Sequence, residues 1–126
     1  MIGRAAVAGV ATILMVVVLG AAPGDAADAN RRFSVRGLGT TPCSSYLDVR
    51  AGSGRESEPF VHWLTGFVTA YNWLQPDTFD ISAEYNSTGL LIWLDYYCKG
   101  NPESKIIDAA LAFVRVVYDK RMKSES

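Results

Sequence analysis

Hydrophobic residues recur at the spacing of an α-helix in the middle of the chain. Between Glu58 and Leu74 they stand three and four residues apart, within a stripe about 100° wide on a helix. The stripe comprises Phe60, Trp63, Leu64, Phe67, Tyr71 and Leu74. We therefore predict a helix over Glu58 to Leu74 that packs this stripe against the core. Ser57 is its candidate cap, Pro59 suits its first turn, and Gln75-Pro76 should end it.

A second apolar run follows, and it has no polar side. Its large apolar residues point in every direction on a helix and are Leu90, Leu91, Ile92, Trp93, Leu94, Tyr96, Tyr97 and Cys98. Only Asp95 is charged within the run. A helix that is apolar all round belongs at the centre of a fold. We expect Ser87 or Thr88 to cap this helix and Gly100 to end it.

A third helix is predicted over residues 102–121. Asn101 would cap it, Pro102 suits its first position, and Glu103 would face the positive end of the helix dipole. Its apolar residues gather on one broad face and are Ile106, Ile107, Ala110, Leu111, Phe113, Val114, Val117 and Tyr118. Residues 120–126 would form a charged tail that frays.

The remaining segments give no sign of a strand. No stretch alternates polar and apolar residues strictly enough to require one. Residues 44–49 could form one helical turn, residues 50–55 a polar loop, and residues 75–86 an acidic connection. We therefore predict the all-α class, as a small single domain of about three main helices over residues 30–126.

The first 29 residues have the layout of a secretory signal peptide. Arg4 supplies the positive charge, an apolar run follows it, and small residues follow the run. Cleavage after Ala26 or Ala29 would release residues 30–126. An uncleaved anchor is the alternative, because residues 5–22 are just long enough to span a bilayer. We expect a periplasmic or secreted protein that does not contact the membrane once it is cleaved.

The charge balance argues against nucleic acid as a partner. The chain carries 12 Lys and Arg against 13 Asp and Glu, and residues 30–126 keep 11 of each. A neutral domain without a basic cluster lacks the footprint of a nucleic-acid-binding protein. At about pH 2 to 3 most carboxylates are protonated, so the net charge would approach +11, or +12 with His62. Self-repulsion of that size would expand a marginal fold.

Two cysteines, Cys43 and Cys98, stand 55 positions apart. Export would place them in an oxidising compartment, where two lone thiols in a small domain usually pair. We predict a Cys43–Cys98 disulfide, which would stabilise the domain by about 4 kcal/mol through the closed loop. A reactive or metal-binding pair is the alternative, but there is no C-x-x-C motif and His62 is the only histidine.

The chain offers little for catalysis or for metal binding. His62 is the obvious base for a nucleophile, and its neighbours on a helix would be Thr65, Gly66 and Thr69. No glycine motif for phosphates or dinucleotides occurs, and nothing pins two carboxylates across a cleft. The acidic connection at residues 75–86 does not match the calcium loop of an EF-hand. We expect no enzymatic activity, no cofactor and no bound metal.

One row on the helix over Glu58 to Leu74 is a candidate binding site for a protein partner. His62, Gly66, Thr69 and Trp73 lie opposite the predicted core stripe, with small residues between the imidazole and the indole. A tryptophan is out of place on a solvent face. Either the C-terminal segment or the loop at Pro76 covers Trp73, or His62, Gly66 and Trp73 contact a client or a second subunit.

Short motifs spread over residues 41–118 resemble those of a known family. They are Cys43 followed by Tyr46, Trp63-Leu64-x-Gly66-Phe67, and Cys98-Lys99-Gly100-Asn101-Pro102. Together with the signal peptide, they resemble the HdeA/HdeB family of small periplasmic acid-stress chaperones. The resemblance implies a helical domain tied by one disulfide and a homodimer at neutral pH. It also implies that acid loosens the dimer and exposes apolar surface that holds unfolding periplasmic proteins.

A second similarity is carried by the same order of Cys, Trp-Leu-x-Gly-Phe, Cys and Asn-Pro. It is to the small secreted immunity proteins of the Rap1a/Tai type, which neutralise an effector delivered by a rival cell. A holdase must expose adaptable apolar surface in acid, whereas an immunity protein must keep one rigid surface at neutral pH. We expect an acid-stress holdase first and a specific protein-binding module second.

Overall fold

The computed structural model of the protein describes residues 3, 27–52 and 54–125. Most of the predicted signal peptide therefore lies outside the described residues. The chain divides into two units, Met1–Phe33 and Ser34–Ser126. In the first unit Asp28 closes a short turn, because its Oδ1 atom accepts the backbone N–H groups of Asn30 and Arg32 at 2.9 and 2.7 Å. None of the helices in the described ranges is long and apolar enough to cross a membrane.

The second unit is helical, which confirms the all-α class. Four α-helices lie in the described part of the chain: α1 (Cys43–Arg50), α2 (Glu58–Leu74), α3 (Ser87–Gly100) and α4 (Ile106–Val117). Short 3₁₀ helices occupy Gly37–Thr40, Arg55–Ser57 and Tyr118–Lys120. The same residues form no strand and only two isolated antiparallel bridges, Pro42 with Lys105 and Asp80 with Met122. The segment expected to make one helical turn is thus a complete helix, α1.

Helix α2 has the predicted bounds, but its buried row differs from the predicted stripe. Phe60, Leu64 and Val68 are buried, whereas Leu74 is exposed. The buried row advances four residues at a step, so by the last turn it has rotated away from Leu74. Ser57 stands at the start without capping α2. Its hydroxyl instead donates to the Gly54 carbonyl at 2.7 Å.

Helix α3 is central, as predicted, but it is not buried on every side. Helices α1, α2 and α4 all pack on it and bury Leu90, Leu94 and Cys98. Three neighbours cannot surround a helix completely, and Ile92 and Tyr96 remain on the open side. The cap is also one residue earlier than predicted. The Asn86 Oδ1 atom accepts the Gly89 N–H at 2.9 Å, and Ser87 is already helical.

Helix α4 begins at Ile106 and not at Pro102 as predicted. The residues before it are held in an extended turn, because Cys43 N donates to Ser104 O at 2.7 Å and Ile106 N donates to Thr41 O at 3.0 Å. The Asp108 side chain then caps the start of the helix by accepting the Lys105 N–H at 2.8 Å. Pairing with the start of α1 therefore outweighs the local preference of Asn101-Pro102 for a helix start.

Within the described residues, the core consists of two clusters of buried side chains that meet at Trp63. The larger contains Leu64, Val68, Ile81, Leu90, Ala110, Phe113, Val114 and Val117. The smaller contains Cys43, Tyr46, Phe60, Leu94, Cys98, Ile106 and Ala109. The predicted Cys43–Cys98 disulfide is confirmed: it joins the first residue of α1 to α3 with a Cα–Cα distance of 4.9 Å. Both half-cystines are fully buried.

Candidate functional site

The row predicted on α2 lies on one solvent-facing side of the domain. His62, Gly66, Thr69 and Trp73 are all exposed, and the buried row of α2 faces the other way. At Gly66 no other group lies within 4 Å of the place where a Cβ atom would stand. The Thr69 hydroxyl is turned inward along the helix and donates to the Thr65 carbonyl at 2.9 Å. The row therefore presents a small-residue surface with Trp73 at its end.

Trp73 is 85% exposed, so the expectation that the C-terminal segment or the Pro76 loop covers it is wrong. Those two segments pair with each other instead, through the antiparallel bridge between Asp80 and Met122. Leu74, the next residue, is also exposed. An indole that is almost wholly in water contributes little to stability, and aromatic residues of this kind are enriched in protein-binding surfaces.

His62 lies at the edge of a cleft of about 480 Å³ between the ends of three helices. Arg50 lines the cleft from α1, Val61 and Leu91 contribute apolar surface to it, and Thr88 lines it from α3. Among the described residues that line the cleft, none forms a side-chain hydrogen bond with His62. His62 and Trp73 share the α2 face, but only His62 borders the cleft.

A second exposed apolar surface lies on the open side of α3. Ile92 and Tyr96 are one helical turn apart, so they are neighbours on this side. The Tyr96 ring lies against Trp93, with ring centroids 6.2 Å apart. Trp93 is anchored below, because its Nε1 atom donates to the Ala109 carbonyl at 3.0 Å. The Trp93 ring, held by this hydrogen bond, therefore packs beneath the exposed surface formed by Ile92 and Tyr96.

Helices α1 and α3 are joined by a polar network around Asp95. The Tyr46 hydroxyl donates to Asp95 Oδ1 at 2.7 Å, and Arg50 Nε donates to the same oxygen at 2.8 Å. Arg50 Nη2 donates to Asp95 Oδ2 at 2.8 Å, so the Arg50–Asp95 pair is bidentate. The Tyr46 ring is fully buried and packs edge-on against Phe60, with centroids 5.0 Å apart.

Each member of this network has a shifted pKa. Burial by itself would raise the pKa of Asp95, but hydrogen bonds from Arg50 and Tyr46 and the Arg50 charge together hold it below its ordinary value. Burial and the Asp95 carboxylate raise the pKa of Tyr46. The hydrogen bond to Asp95 also raises the pKa of Arg50. The ion pair therefore persists at neutral pH and depends on Asp95 being ionised.

Sequence reasoning singled out Asp95 only as the one charge in an apolar helix. Its partners, Tyr46 and Arg50, are 49 and 45 residues away in sequence. No local pattern indicates such a contact, because it depends on how α1 packs against α3. The available signal was that a charge within an apolar helix needs a partner.

The described residues contain no group of three or more His, Cys, Asp or Glu side chains placed to hold a metal ion. No protein-family model matches the chain, and neither a curated protein nor a solved structure matches it. Function must therefore be inferred from the exposed apolar surfaces, the Asp95 network and the disulfide.

Proposed function

We propose that the protein is a non-enzymatic, acid-activated holdase that acts in the periplasm or after secretion. The observation that carries this proposal is that one carboxylate, Asp95, joins α1 to α3 above fully buried aromatic and apolar side chains. Loss of the Asp95 charge would free Tyr46 and Arg50 together. Tyr46, Phe60 and Leu94, which belong to one core cluster, would then become accessible to a client.

The direction of the pH effect follows from the lowered pKa of Asp95. A carboxyl group whose pKa is lower in the folded state adds stability above its unfolded value, near 4. That stability is lost as the pH falls from about 4 through the lower folded value. Acid therefore weakens the contact between α1 and α3, while the gain of positive charge expands the whole domain.

The disulfide limits how far α1 can separate. Cys43 is the first residue of α1 and is bonded to Cys98 in α3, while Asp95 lies one turn earlier in α3. Acid does not break this bond, because disulfide exchange requires a thiolate. Acid would then loosen the far end of α1, at Arg50, but would not detach the helix. A tethered helix can return to its place at neutral pH, and a holdase that must release its client needs such a return.

A second candidate function is a specific protein-binding module of the immunity type. The exposed α2 face with Trp73 favours it, because this face needs no acid opening to meet a partner. Under this alternative His62, Gly66 and Trp73 contact one cognate effector at neutral pH. Under the holdase proposal they add to the client-binding surface or to a homodimer contact. The resemblance to the HdeA/HdeB chaperones makes the holdase our first proposal.

The test is suppression of client aggregation by the purified, oxidised protein. One aggregation-prone client is followed by light scattering at about pH 2 to 3 and at pH 7. We expect suppression in acid and none at neutral pH. Asp95→Asn should allow suppression at a higher pH than the unaltered protein, whereas Asp48→Asn, which removes an exposed charge from the same pair of helices, should not. A folded protein that suppresses aggregation at neither pH would refute the proposal and favour the second candidate.

A further inference from the structure

The C-terminal segment, predicted to be a fraying tail, is paired with the connection between α2 and α3. Phe79 N and Asp80 N donate to Met122 O at 2.8 and 3.1 Å, and Met122 N donates to Asp80 O at 2.8 Å. The prediction fails because these residues find backbone partners far away in sequence. We call residues 121–123 the strap and residues 77–82 the plug.

Side chains add a charged clamp to this backbone pairing. The Arg121 Nε atom donates to Asp77 O and to Thr78 Oγ1, both at 3.1 Å. Arg121 Nη2 and Lys123 Nζ reach Asp77 Oδ2 at 3.3 and 3.0 Å. The Arg121 side chain is only 9% exposed, and its guanidinium lies 4.0 Å from the centre of the Tyr118 ring. The strap is therefore anchored through Arg121.

The plug places one large apolar side chain in the core. Ile81 is 1% exposed and packs in the larger core cluster, whose other described members all belong to α2, α3 or α4. Its N–H donates to Asn72 Oδ1 at 2.8 Å, and Asp80 Oδ1 accepts the Ser82 N–H at 2.9 Å. Ile81 is thus held in the core by contacts of a loop and not by a helix of its own.

We propose that the plug opens as a unit when the strap releases it, and that the space left by Ile81 receives an apolar side chain of an extended client segment. The opening would require loss of the strap pairing and of the Asn72 contact, while all four helices stay intact. Val68 and Val117, which pack in the same cluster as Ile81, would line the exposed floor. The released backbone groups of Met122 could then pair with the client in the manner of an added strand.

The clamp contains groups that respond to acid. Asp77 faces Arg121 and Lys123 from the strap, and the hydrogen bond from Lys123 is the main reason why the pKa of Asp77 is below its ordinary value. Asp80 lies within the plug and is within reach of Asn72 on α2. The Tyr118 ring also contacts Arg121. Protonation of Asp77 therefore removes the anionic side of the clamp and leaves its two cations facing each other.

Residue-resolved hydrogen exchange of the purified, oxidised protein tests the opening. The reporting amides are Ile81 and Met122 in the plug and strap, with Phe113 of α4 as the reference for global unfolding. We expect Ile81 and Met122 to exchange together and faster than Phe113 at neutral pH. As the pH falls below about 4, their exchange relative to Phe113 should increase further.

Variants separate the clamp from a general loss of stability. Asp77→Asn and Arg121→Gln should each speed exchange at Ile81 and Met122 severalfold without changing Phe113. Arg115→Gln, the same substitution at an exposed position on α4, should change none of the three. The further increase in exchange at Ile81 and Met122 below about pH 4 should be absent in Asp77→Asn. Equal exchange of plug and α4 amides in the unaltered protein, or an equal effect of Arg121→Gln on all three amides, would overturn the proposal.

The occupant of the opened site rests on the proposed holdase function, whereas the opening itself does not. Selective exchange of the plug amides without suppression of client aggregation would leave the opening in place and refute the holdase. Suppression of aggregation while Ile81 stays as protected as Phe113 would support the holdase and refute the plug. The client is the same aggregation-prone protein used in the scattering experiment.

Discussion

At the scale of single residues, Asp95 is the side chain that connects α3 to α1. A single carboxylate accepts hydrogen bonds from Tyr46 and Arg50 and so joins two helices that are far apart in sequence. The sequence indicates that a charge in an apolar helix is exceptional. It does not indicate the partners, because the side-chain register between α1 and α3 is set by tertiary packing around the disulfide.

Asp95→Asn is therefore expected to lower the free energy of unfolding by about 2 kcal/mol at pH 7, because hydrogen bonds to a charged group are lost. The difference in free energy of unfolding between Asp95→Asn and the unaltered protein should narrow as the pH falls below about 4, because Asp95 itself becomes protonated there. Urea unfolding at several pH values measures both effects. Asp48→Asn should stay within about 0.5 kcal/mol of the unaltered protein. A gap that is constant from pH 7 to about pH 3 would contradict the role given to Asp95.

Two tryptophans on α2 have opposite environments, and their alanine variants should differ accordingly. Trp63 packs against both core clusters, and its Nε1 atom donates to the Arg36 carbonyl at 2.9 Å. Trp63→Ala should cost about 3 kcal/mol, whereas Trp73→Ala should change stability by less than about 0.5 kcal/mol. Trp73→Ala should instead weaken client holding or self-association. Equal loss of stability in the two variants would refute this assignment.

At the scale of the helices, the apolar pattern of the sequence predicts that a helix exists better than it predicts the residues at which the helix begins and ends. The bounds of α2 follow from its apolar stripe, Pro59 and Gln75-Pro76, all of which are local signals. The start of α4 does not, because residues 101–105 pair with the start of α1 in preference to forming a helix. The sequence did not indicate the open side of α3, for a related reason. The apolar residues of a helix show how much of its surface can be buried, but not how many neighbouring helices cover it.

Glycines on two elements provide a matched test of packing. Gly39 lies beneath the Trp63 indole, and a Cβ atom there would overlap the ring. Gly39→Ala should therefore destabilise by about 1 to 3 kcal/mol. Gly66→Ala has free space on an exposed helix face, and should stabilise α2 by about 0.5 to 1 kcal/mol. Thermal unfolding compares the two variants, and the same sign of change in both would contradict the packing described here.

Gly66→Ala also separates stability from binding on the α2 face. If a partner approaches close to Gly66, the added methyl group should weaken client holding or self-association even though the fold becomes more stable. Scattering with the client and sedimentation of the protein alone measure the two effects. Binding that is unchanged in this variant would remove Gly66 from the candidate site and leave Trp73 to be tested alone.

For the molecule as a whole, the disulfide joins α1 to α3 within the smaller core cluster. The sequence predicted this bond from the cysteine count and from the expectation of export. The strap could not be predicted in the same way, because a short charged C-terminal segment has the composition of a tail. Its order comes from backbone pairing with residues 79–80 and from the Arg121 contacts.

Replacing both cysteines, as Cys43→Ser with Cys98→Ser, should reduce the free energy of unfolding by about 4 kcal/mol. The closed loop restricts the unfolded chain, and its loss also leaves α1 without a covalent attachment to α3. Thermal unfolding by circular dichroism measures the change against the oxidised protein, with the chemically reduced protein as control. An unchanged melting temperature would contradict a stabilising bond. Client release on neutralisation should also be less complete, because α1 could no longer return readily to its place.

The central claim is that acid opens the packed domain while its helices and the disulfide remain. The most direct measurement is an acid titration of the oxidised protein from pH 7 to about pH 2, followed by near-ultraviolet and far-ultraviolet circular dichroism and by binding of an apolar dye. We predict that below about pH 4 the near-ultraviolet signal falls and dye binding rises, while the helical signal persists and neutralisation reverses the change. A near-ultraviolet signal that stays intact without dye binding down to about pH 2 would contradict the claim.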